Sequence, residues 1–349
     1  MSLATFVHIS DLHIAPTRRD SLSARRQAWK RWDRFDGLLG HSADSLADLD
    51  QFFHDFLLKE KEPKAQLIVT GDLTAMGAKG EFDIANQYLA GILRDDVGHH
   101  VGLEVPDWSN RAIPGNHDHW PGRPVIIGRP TPSLGKYFPH LPRVRPVVPL
   151  GNGRQLRLLR IDTDADVKPY SMNRVKALGN FESQLITLTA VLGPLGTNAN
   201  EIRILCLHHS PSYRGEILEI IESSRNALNS FIAENQVAVL LCGHIHRPPR
   251  VEPFAVTSGS VQVEVLEACC GTTTQYDASI SREEEVQEVY SHWENSLLVH
   301  RLLERDGEIH WETELYLEGR AGFVRADSLR DDVAPVRTFK VWPWPPSPI

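Results

Sequence analysis

The chain contains no long hydrophobic segment and no excess of basic charge. Its apolar runs, such as Val237 to Cys242, fall well short of the roughly 18 consecutive apolar residues that a membrane-spanning helix needs. The 37 Lys and Arg residues are outnumbered by 45 Asp and Glu residues, so the formal net charge is −8. A negative chain lacks the global field that attracts nucleic acid. The sequence therefore indicates no clear nucleic-acid or membrane partner.

Cysteine is also scarce, with four residues in a chain of 349. Cys206 and Cys242 lie within apolar stretches, and Cys269 and Cys270 are adjacent, which disfavours a disulfide between them. None of them has the paired spacing of a structural zinc site. We therefore predict buried, reduced thiols and a cytoplasmic location. No cleavable leader is expected, because an apolar strand already begins at Ala4.

The chain does contain an alternation of strand-like and helical segments. The apolar strand-like segments are Phe6 to Ser10, Gln66 to Thr70, Arg203 to Leu207, Val237 to Cys242 and Ser260 to Ala268. Helical spacing of apolar residues occurs in Ser45 to Lys61, Glu81 to Leu93, Phe181 to Leu192 and Glu216 to Glu234. Two late alternating runs, Ser296 to Glu304 and Glu308 to Leu317, flank Asp306-Gly307, which is typical of a two-residue hairpin. This alternation predicts an α/β fold.

Five short polar motifs follow these apolar segments or stand between them. They are Asp11-Leu12-His13, Gly71-Asp72, Gly115-Asn116-His117-Asp118, His208-His209 and Gly243-His244-Ile245-His246. Ligands in α/β proteins bind beyond the carboxyl ends of the strands, so we expect these side chains to meet. Carboxylate, imidazole and amide oxygen groups are the ligands that a pair of hydrolytic divalent metals requires. The motifs therefore predict a dinuclear metal site.

Each motif taken alone has a plainer interpretation. A lone Asp-x-His is more often a turn or a surface feature than a ligand pair, and a lone Gly-Asp usually caps a turn. Their conjunction, in one order and at strand ends, favours the metal site. Asp72 follows a strand and a glycine, and its two carboxylate oxygens can bridge two ions. We expect it at the centre of the site.

The set of motifs resembles the calcineurin-like metallophosphoesterase superfamily, whose pattern runs Asp-x-His, Gly-Asp, Gly-Asn-His-Asp/Glu, His, Gly-His-x-His. The matching residues run from 11 to 246, about two thirds of the chain. The resemblance implies a four-layer αββα sandwich, in which two packed mixed β-sheets are flanked by helices. It also implies two divalent metal ions as cofactors, and mixed nitrogen and oxygen ligands suit Fe, Mn, Zn or Co.

The resemblance also implies a role for each motif residue. One metal is expected on Asp11, His13, Asp72 and His246, and the other on Asp72, Asn116, His208 and His244. His208 is preferred to His209 because it follows the strand directly. His117 is expected as the catalytic histidine near the leaving group, with Asp118 as the carboxylate that orients it.

The implied activity is hydrolysis of a small phosphoester by attack of metal-bound hydroxide. Gly71-Asp72-Leu73-Thr74, His208-His209-Ser210-Pro211 and the Gly-His-x-His motif resemble the bacterial phosphodiesterase-like branch. The Gly-Asn-His-Asp motif and His208-His209-Ser210-Pro211 argue against a protein phosphatase. We therefore expect a phosphodiesterase for a cyclic nucleotide or a glycerophosphodiester-like substrate. The alternatives are a phosphomonoesterase or nucleotidase on the same metals, and a non-catalytic metal-binding interaction protein. One departure from the family pattern is Ala75, where many members have an acidic residue.

We predict a catalytic domain over residues 1–320 and a Pro/Trp-rich C-terminal tail over 321–349. Residues 14–58 are predicted to form a helical insert near the active site. The insert carries a basic run from Arg25 to Arg34 with two tryptophans, which is either a solvated amphipathic helix or a surface that binds phosphate and stacks a base. The late hairpin and the tail are candidate surfaces for a homo-oligomer.

Overall fold

The computed structural model describes most of the chain. The described residues are 2–15, 41, 43–59, 65–94, 100–123, 126–139, 141–151, 153–193, 200–245, 249–274, 295–319, 322–328 and 336–348. The predicted ligand His246 and the basic run from Arg25 to Arg34 lie outside them. Of the proposed helical insert, the structure describes its first two residues, His41 and a helix that begins at Ala43.

Two large β-sheets dominate the described residues. The first has eight strands: β1 (Ser2–Ile9), β2 (Gln66–Thr70), β5 (Ala112–Ile113), β12 (Ser296–Arg305), β13 (Glu308–Gly319), β14 (Gly322–Arg325), β15 (Val336–Trp342) and β16 (Ser347–Pro348). The second has six: β6 (Val147–Gly151), β7 (Arg154–Arg160), β8 (Glu201–Cys206), β9 (Val237–Cys242), β10 (Arg250–Ser258) and β11 (Val261–Cys269). A small hairpin joins β3 (Leu93–Arg94) to β4 (His100–Val101).

The strand order shows that both sheets are mixed. The first sheet runs β16-β15-β13-β12-β1-β2-β5, with β14 paired to β13, and β1, β2 and β5 are parallel. The second runs β10-β11-β9-β8-β7-β6, with β7, β8, β9 and β11 parallel. Parallel strands bring their carboxyl ends to one edge of a sheet. The loops after β1, β2, β8 and β9 carry four of the five polar motifs, and the loop after β5 carries the other.

Helices cover the outer faces of both sheets. They are α1 (Ala43–Lys59), α2 (Lys79–Leu89), α3 (Pro132–Tyr137), α4 (Met172–Val175), α5 (Glu182–Leu192) and α6 (Glu222–Asn235). Phe53 of α1 and Phe82 of α2 pack on the first sheet, and Leu188 of α5 and Phe231 of α6 pack on the second.

A third apolar cluster lies between the sheets and joins Phe6 and Trp311 of the first sheet to Ile204 and Leu241 of the second. We call it the inter-sheet layer. The four-layer αββα architecture is confirmed.

The strongest sequence signals formed the expected elements. The strands Gln66–Thr70 and Val237–Cys242 have the predicted bounds, and the predicted hairpin closes between Arg305 and Glu308. Asp306 has φ 52° and Gly307 has φ 83°. These left-handed conformations match a tight hairpin turn that follows the twist of the strands.

The strand β10 has a weak sequence signal. β10 was not predicted, because its mixed polar pattern includes Pro253. A proline cannot donate a ladder hydrogen bond, but β10 lies at the edge of its sheet, where that donor is dispensable.

The C-terminal segment differs from the predicted tail. Val336–Trp342 forms β15, which pairs antiparallel with β13, so the first sheet extends beyond residue 320. The prolines that suggested a surface tail follow this strand, and the last short strand is the sheet's edge. Trp342 and Trp344 pack against the core, as their apolar rings favour.

The cysteine prediction is confirmed, because all four cysteines are buried and free. Among the residues that the structure describes, no helix is both long and apolar enough to span a membrane.

Candidate metal centre

The loops after β1 and β2 are bonded to each other through their backbones. The amide of Asp11 donates to Gly71 O (3.0 Å), and the amide of His13 donates to Asp72 O (2.9 Å). The amide of Ile14 continues the pairing with Leu73 O (2.9 Å). This pairing holds the first two motifs side by side, so the side chains of Asp11, His13 and Asp72 enter one buried space.

Four of the motif residues have left-handed backbone conformations. The φ angles are 54° at Asp11, 46° at His13, 49° at Asp72 and 71° at His244. Such conformations are uncommon for residues with a side chain and cost of order 1–3 kcal/mol each. They are concentrated at the sheet edge where the motifs meet, which is typical of a functional site.

The glycines of three motifs are required by close packing. A Cβ on Gly71, which has φ 107°, would strike the imidazole of His208. A Cβ on Gly115 would strike the carboxylate of Asp72, and a Cβ on Gly243 would strike Ser10 and Asp11. Only glycine lets these loops approach the polar side chains so closely.

One group of ligand atoms converges on the imidazole of His208. Its Nε2 atom lies 3.2 Å from Asp72 Oδ2, 3.2 Å from Asn116 Oδ1 and 3.1 Å from His244 Nδ1. Asp72, His208 and His244 are close enough for one metal ion, and all three are buried. With Asn116, these residues are the set for which the family resemblance implied one metal.

A second group shares Asp72. His13, Asp72 and His117 offer ligand atoms that all lie within 4.8 Å of one another. His13 Nε2 is also 3.8 Å from Asp11 Oδ1 and 4.0 Å from Asp72 Oδ2. The structure therefore brings together the described residues assigned to the other metal, and it adds His117 beside them.

The two adjacent histidines have different environments. His208 Nδ1 donates to the carbonyl of Thr70 (2.7 Å), which leaves Nε2 facing Asp72 and Asn116. His209 has Nε2 within 3.0 Å of Ala177 O and Nδ1 within 2.7 Å of Thr163 Oγ1. Both nitrogens of His209 are thus engaged outside the ligand group, so the geometry favours His208 as the ligand.

His117 is held by hydrogen bonds from its backbone amide and its ring Nδ1, and by contacts with two aromatic rings. Its amide donates to Asp72 Oδ1 (2.7 Å), and its Nδ1 donates to the carbonyl of Ala75 (2.9 Å). Its ring stacks on Trp120, with centroids 4.3 Å apart, and meets the ring of His13 edge-on at 4.6 Å. These contacts fix the tautomer with an unprotonated Nε2 when the ring is neutral.

Asp118 fastens the loop after β2 to the loop after β5. Its carboxylate oxygens accept from the amides of Leu73 (3.2 Å), Thr74 (2.9 Å) and Gly115 (3.0 Å), and from Thr74 Oγ1 (2.7 Å). The family resemblance implied that Asp118 orients His117. In the structure these bonds act on the loops, so Asp118 supports the ring of His117 through the backbone.

The electrostatics of the site indicate a need for positive charge. Burial alone would raise the pKa of Asp72, but the imidazoles of His208, His117 and His13 hold it well below its usual range. Burial would lower the pKa of His208, yet the negative charge of Asp72 raises it to about 10. Burial and the Asp72 charge raise the pKa of Asp118 to about 7.

A divalent cation fits this arrangement. Asp72 Oδ2 is buried and lies 3.2 Å from His208 Nε2, and three imidazoles surround its carboxylate. A buried carboxylate is costly unless a positive partner compensates it. The neighbouring imidazoles lower the pKa of Asp72, and a metal ion held on the same atoms would supply a full positive partner.

Sequence reasoning missed a pair at the wall of the site. His119 Nε2 lies 2.9 Å from Asp162 Oδ1, and burial alone would lower the pKa of His119 whereas Asp162 raises it. Asp162 follows β7, so the rule that identified the other motifs also applies to it. The short polar run after β7 lacked a recognisable motif.

Comparison with known proteins identifies the family. A family model described as calcineurin-like phosphoesterase matches residues 4–248. The chain belongs to this family. Calcineurin-like phosphoesterases act on phosphoesters and generally bind two divalent metal ions.

Similar solved structures include two that differ widely in length. A purple acid phosphatase from yellow lupin (Lupinus luteus) seeds is 13% identical with a TM-score of 0.48, over 92% of this chain and 52% of that one. This calcineurin-like chain thus spans about half the length of the lupin protein. A double mutant of Vps29 from Entamoeba histolytica is 13% identical with a TM-score of 0.31, over 92% of this chain and 96% of that one. The comparison with curated proteins gives no match.

Proposed function

We propose that this protein is a dinuclear metal-dependent phosphodiesterase. The observation that carries the proposal is the position of Asp72, a buried carboxylate shared by two groups of potential ligands. A shared carboxylate is the natural bridge between two cations. Two-metal sites of this kind are typical of phosphoester hydrolysis, in which both the attacking and leaving oxygens need stabilisation.

The ligand sets follow from the motifs and the contacts together. Asp72, Asn116, His208 and His244 would hold one ion, because their ligand atoms converge. Asp11, His13 and Asp72 would hold the other together with His246. Two bound cations supply charge neutralisation of the phosphoryl group and a lower pKa of coordinated water.

The protein's own groups position the reaction. The carbonyl of Thr70 fixes His208, and the Asp118 carboxylate fastens the loops that carry Asp72 and Asn116. His117 keeps Nδ1 on the carbonyl of Ala75, so Nε2 is the atom that would carry a proton to the departing alkoxide. A histidine near neutral pKa is suited to that transfer.

The charge of the neighbouring wall supports a diester. A phosphomonoester carries a second negative charge that needs additional positive groups. Beside the site, His119 is paired with Asp162, and Arg174 is paired with Asp164 at 3.3 Å. These two cationic groups are thus already paired with carboxylates. We infer a substrate such as a cyclic nucleotide or a glycerophosphodiester-like compound.

The test compares hydrolysis of bis(p-nitrophenyl) phosphate with that of p-nitrophenyl phosphate. The protein is stripped of metal and reloaded with Mn, Zn, Fe or Co. We expect faster diester cleavage that requires metal and is lost in Asp72→Asn. Asp107→Asn is the matched control, because Asp107 is an exposed carboxylate paired with Arg111 away from the site.

Each other outcome contradicts a part of the proposal. A preference for the monoester would indicate a phosphomonoesterase or nucleotidase on the same residues. Metal binding without turnover of either compound would indicate a non-catalytic interaction protein. If Asp72→Asn kept its activity, the proposal that Asp72 bridges two cations would be wrong.

The cytoplasmic location belongs to the same proposal. The four buried thiols are free, which is what a reducing compartment maintains. Fractionation of cells that express the protein at its natural level would test this location.

A further inference from the structure

A row of polar side chains runs across four strands of the first sheet, on the face that borders the inter-sheet layer. His8 lies on β1, Thr70 ends β2, His300 lies on β12, and Trp311 and Thr313 lie on β13. All five are essentially buried. Polar groups in such a place are costly unless they are bonded to one another. They therefore need an explanation beyond packing.

The hydrogen bonds connect these residues in sequence. Trp311 Nε1 lies 3.2 Å from His300 Nδ1, His300 Nε2 lies 3.1 Å from His8 Nδ1, and His8 Nε2 lies 2.9 Å from Thr70 Oγ1. Thr313 Oγ1 is 2.9 Å from His300 Nδ1 and 3.1 Å from Trp311 Nε1. The contacts form one continuous path from β13 to the end of β2.

The indole gives this path a direction. An indole nitrogen can only donate, and the N–H of Trp311 faces both His300 Nδ1 and Thr313 Oγ1. Donation to His300 Nδ1 places the proton of neutral His300 on Nε2. His300 Nε2 then donates to His8 Nδ1, and His8 Nε2 donates to Thr70 Oγ1. Burial lowers the pKa of His8 to about 3 and that of His300 well below its usual value, so both rings are neutral.

The path ends beside the metal centre. Thr70 immediately precedes Gly71 and Asp72, and its carbonyl accepts the Nδ1 proton of His208 at 2.7 Å. That bond directs His208 Nε2 toward Asp72 and Asn116. Thr70 is thus held at its side chain by His8 and holds a candidate ligand with its backbone.

We propose that Trp311, His300 and His8 form a directional hydrogen-bond relay that positions Thr70 and, through the Thr70 carbonyl, the imidazole of His208. The effect on metal binding rests on the proposed function. Outer partners of metal-binding histidines fix the tautomer and the ring orientation, and their loss typically weakens metal affinity 10–100-fold. His8 and His300 are accordingly positioning residues.

The first experiment reads the tautomers directly. Nitrogen-15 NMR of the histidine-labelled, metal-free protein should show His8 and His300 neutral, with the proton on Nε2 in both. In Trp311→Phe, which keeps the ring that stacks on Phe6, we expect both histidines to populate the Nδ1–H tautomer together. An Nδ1–H form of His8 in the wild type, a change in His300 alone, or no change in either would overturn the relay.

The second experiment measures binding of Mn²⁺ by calorimetry. Thr70→Val keeps the shape and the strand preference but removes the hydroxyl, and we expect its affinity to fall about 10–100-fold. Thr70→Ser should restore affinity. Thr5→Val is the matched control, because Thr5 is a buried threonine of β1 whose side chain alternates to the opposite face from His8.

The controls separate positioning from folding and from the proposed function. A fall in affinity for Thr70→Val, with Thr70→Ser and Thr5→Val near the wild type, would support the relay. An unchanged affinity in a Thr70→Val protein that only unfolds more readily would overturn it. If the wild type binds no Mn²⁺, the proposed metal site is wrong, and the positioning role toward His208 is wrong with it. The tautomers of His8 and His300 would still decide whether the relay exists.

Discussion

At the scale of single residues, the site depends on side chains that share atoms. Asp72 receives the amide of His117 on Oδ1 and faces His208 with Oδ2. His117 in turn lies against His13 and Trp120. Residues that act as one unit have effects that do not add, so metal binding and turnover must be measured separately for each variant.

His117→Ala tests whether this residue acts on the leaving group or binds metal. We expect kcat to fall by about 10²–10⁴-fold with the metal content unchanged, which is the usual contribution of a general acid. Steady-state kinetics and metal analysis of the same sample measure both quantities. His54→Ala serves as the control, since His54 lies on α1 and contacts Gly102. A variant that loses one equivalent of metal would instead make His117 a ligand.

At the scale of elements, the hairpin between β12 and β13 depends on one glycine. Gly307 has φ 83° and open space where a Cβ would lie. An added Cβ would therefore clash with no neighbour, and its cost would come from the left-handed backbone conformation alone. We expect Gly307→Ala to lower the free energy of unfolding by about 1–2 kcal/mol. Urea unfolding of the metal-free protein measures this change.

Gly80 offers the matched control for the hairpin. It lies in the first turn of α2, and a Cβ there would also meet open space. Because its backbone is helical, Gly80→Ala should stabilise the protein by up to about 1 kcal/mol. Equal effects of the two substitutions would contradict the conformational explanation.

The contact between β1 and β12 makes folding sensitive to acid. Burial lowers the pKa of His300 well below its usual value, so folded His300 stays neutral where the unfolded chain takes up a proton. The contribution of neutral His300 to the free energy of unfolding is fully present above about pH 6.5. It is lost as the pH falls below that value, by about 1.4 kcal/mol per pH unit. His300→Gln should reduce the slope of unfolding free energy between pH 6 and pH 5 by about that amount.

The same urea titrations separate protonation from packing. Thr313→Val removes a hydrogen-bond partner of His300 but no titratable group. It should lower the stability at each pH and leave the slope unchanged. A slope that His300→Gln does not reduce would show that His300 is protonated in the folded protein.

At the scale of the whole molecule, the C-terminal strand β15 completes the core. Phe339 of β15 is 3% exposed and packs in the inter-sheet layer with Trp311. We expect Phe339→Ala to lower the unfolding free energy by about 3–5 kcal/mol, the usual result for a buried phenylalanine. Lys340→Ala should change it by about 1 kcal/mol or less, because Lys340 makes a partly exposed ion pair with Glu308. If both substitutions changed the unfolding free energy by the same small amount, the segment around Phe339 would be a surface tail and not a part of the core.

The sequence by itself determined the α/β architecture and the positions of the polar motifs at strand ends. Apolar periodicity is a local property, so Gln66–Thr70 and Val237–Cys242 could be recognised before any contact was known. The polar motifs stood at strand ends, and the topology of parallel strands requires such ends to meet. Asp72, Asn116, His208 and His244 therefore converged as expected.

Tertiary structure alone decided which partner each group would have. The different hydrogen-bond partners of His208 and His209 come from Thr70, Thr163 and Ala177, which are distant in the chain. The strand of the C-terminal segment formed because β13 offered an edge to pair with, which outweighed the nearby prolines. Hydrogen bonds and packing between distant segments depend on the assembled fold, whereas strand and helix preferences are written in neighbouring residues.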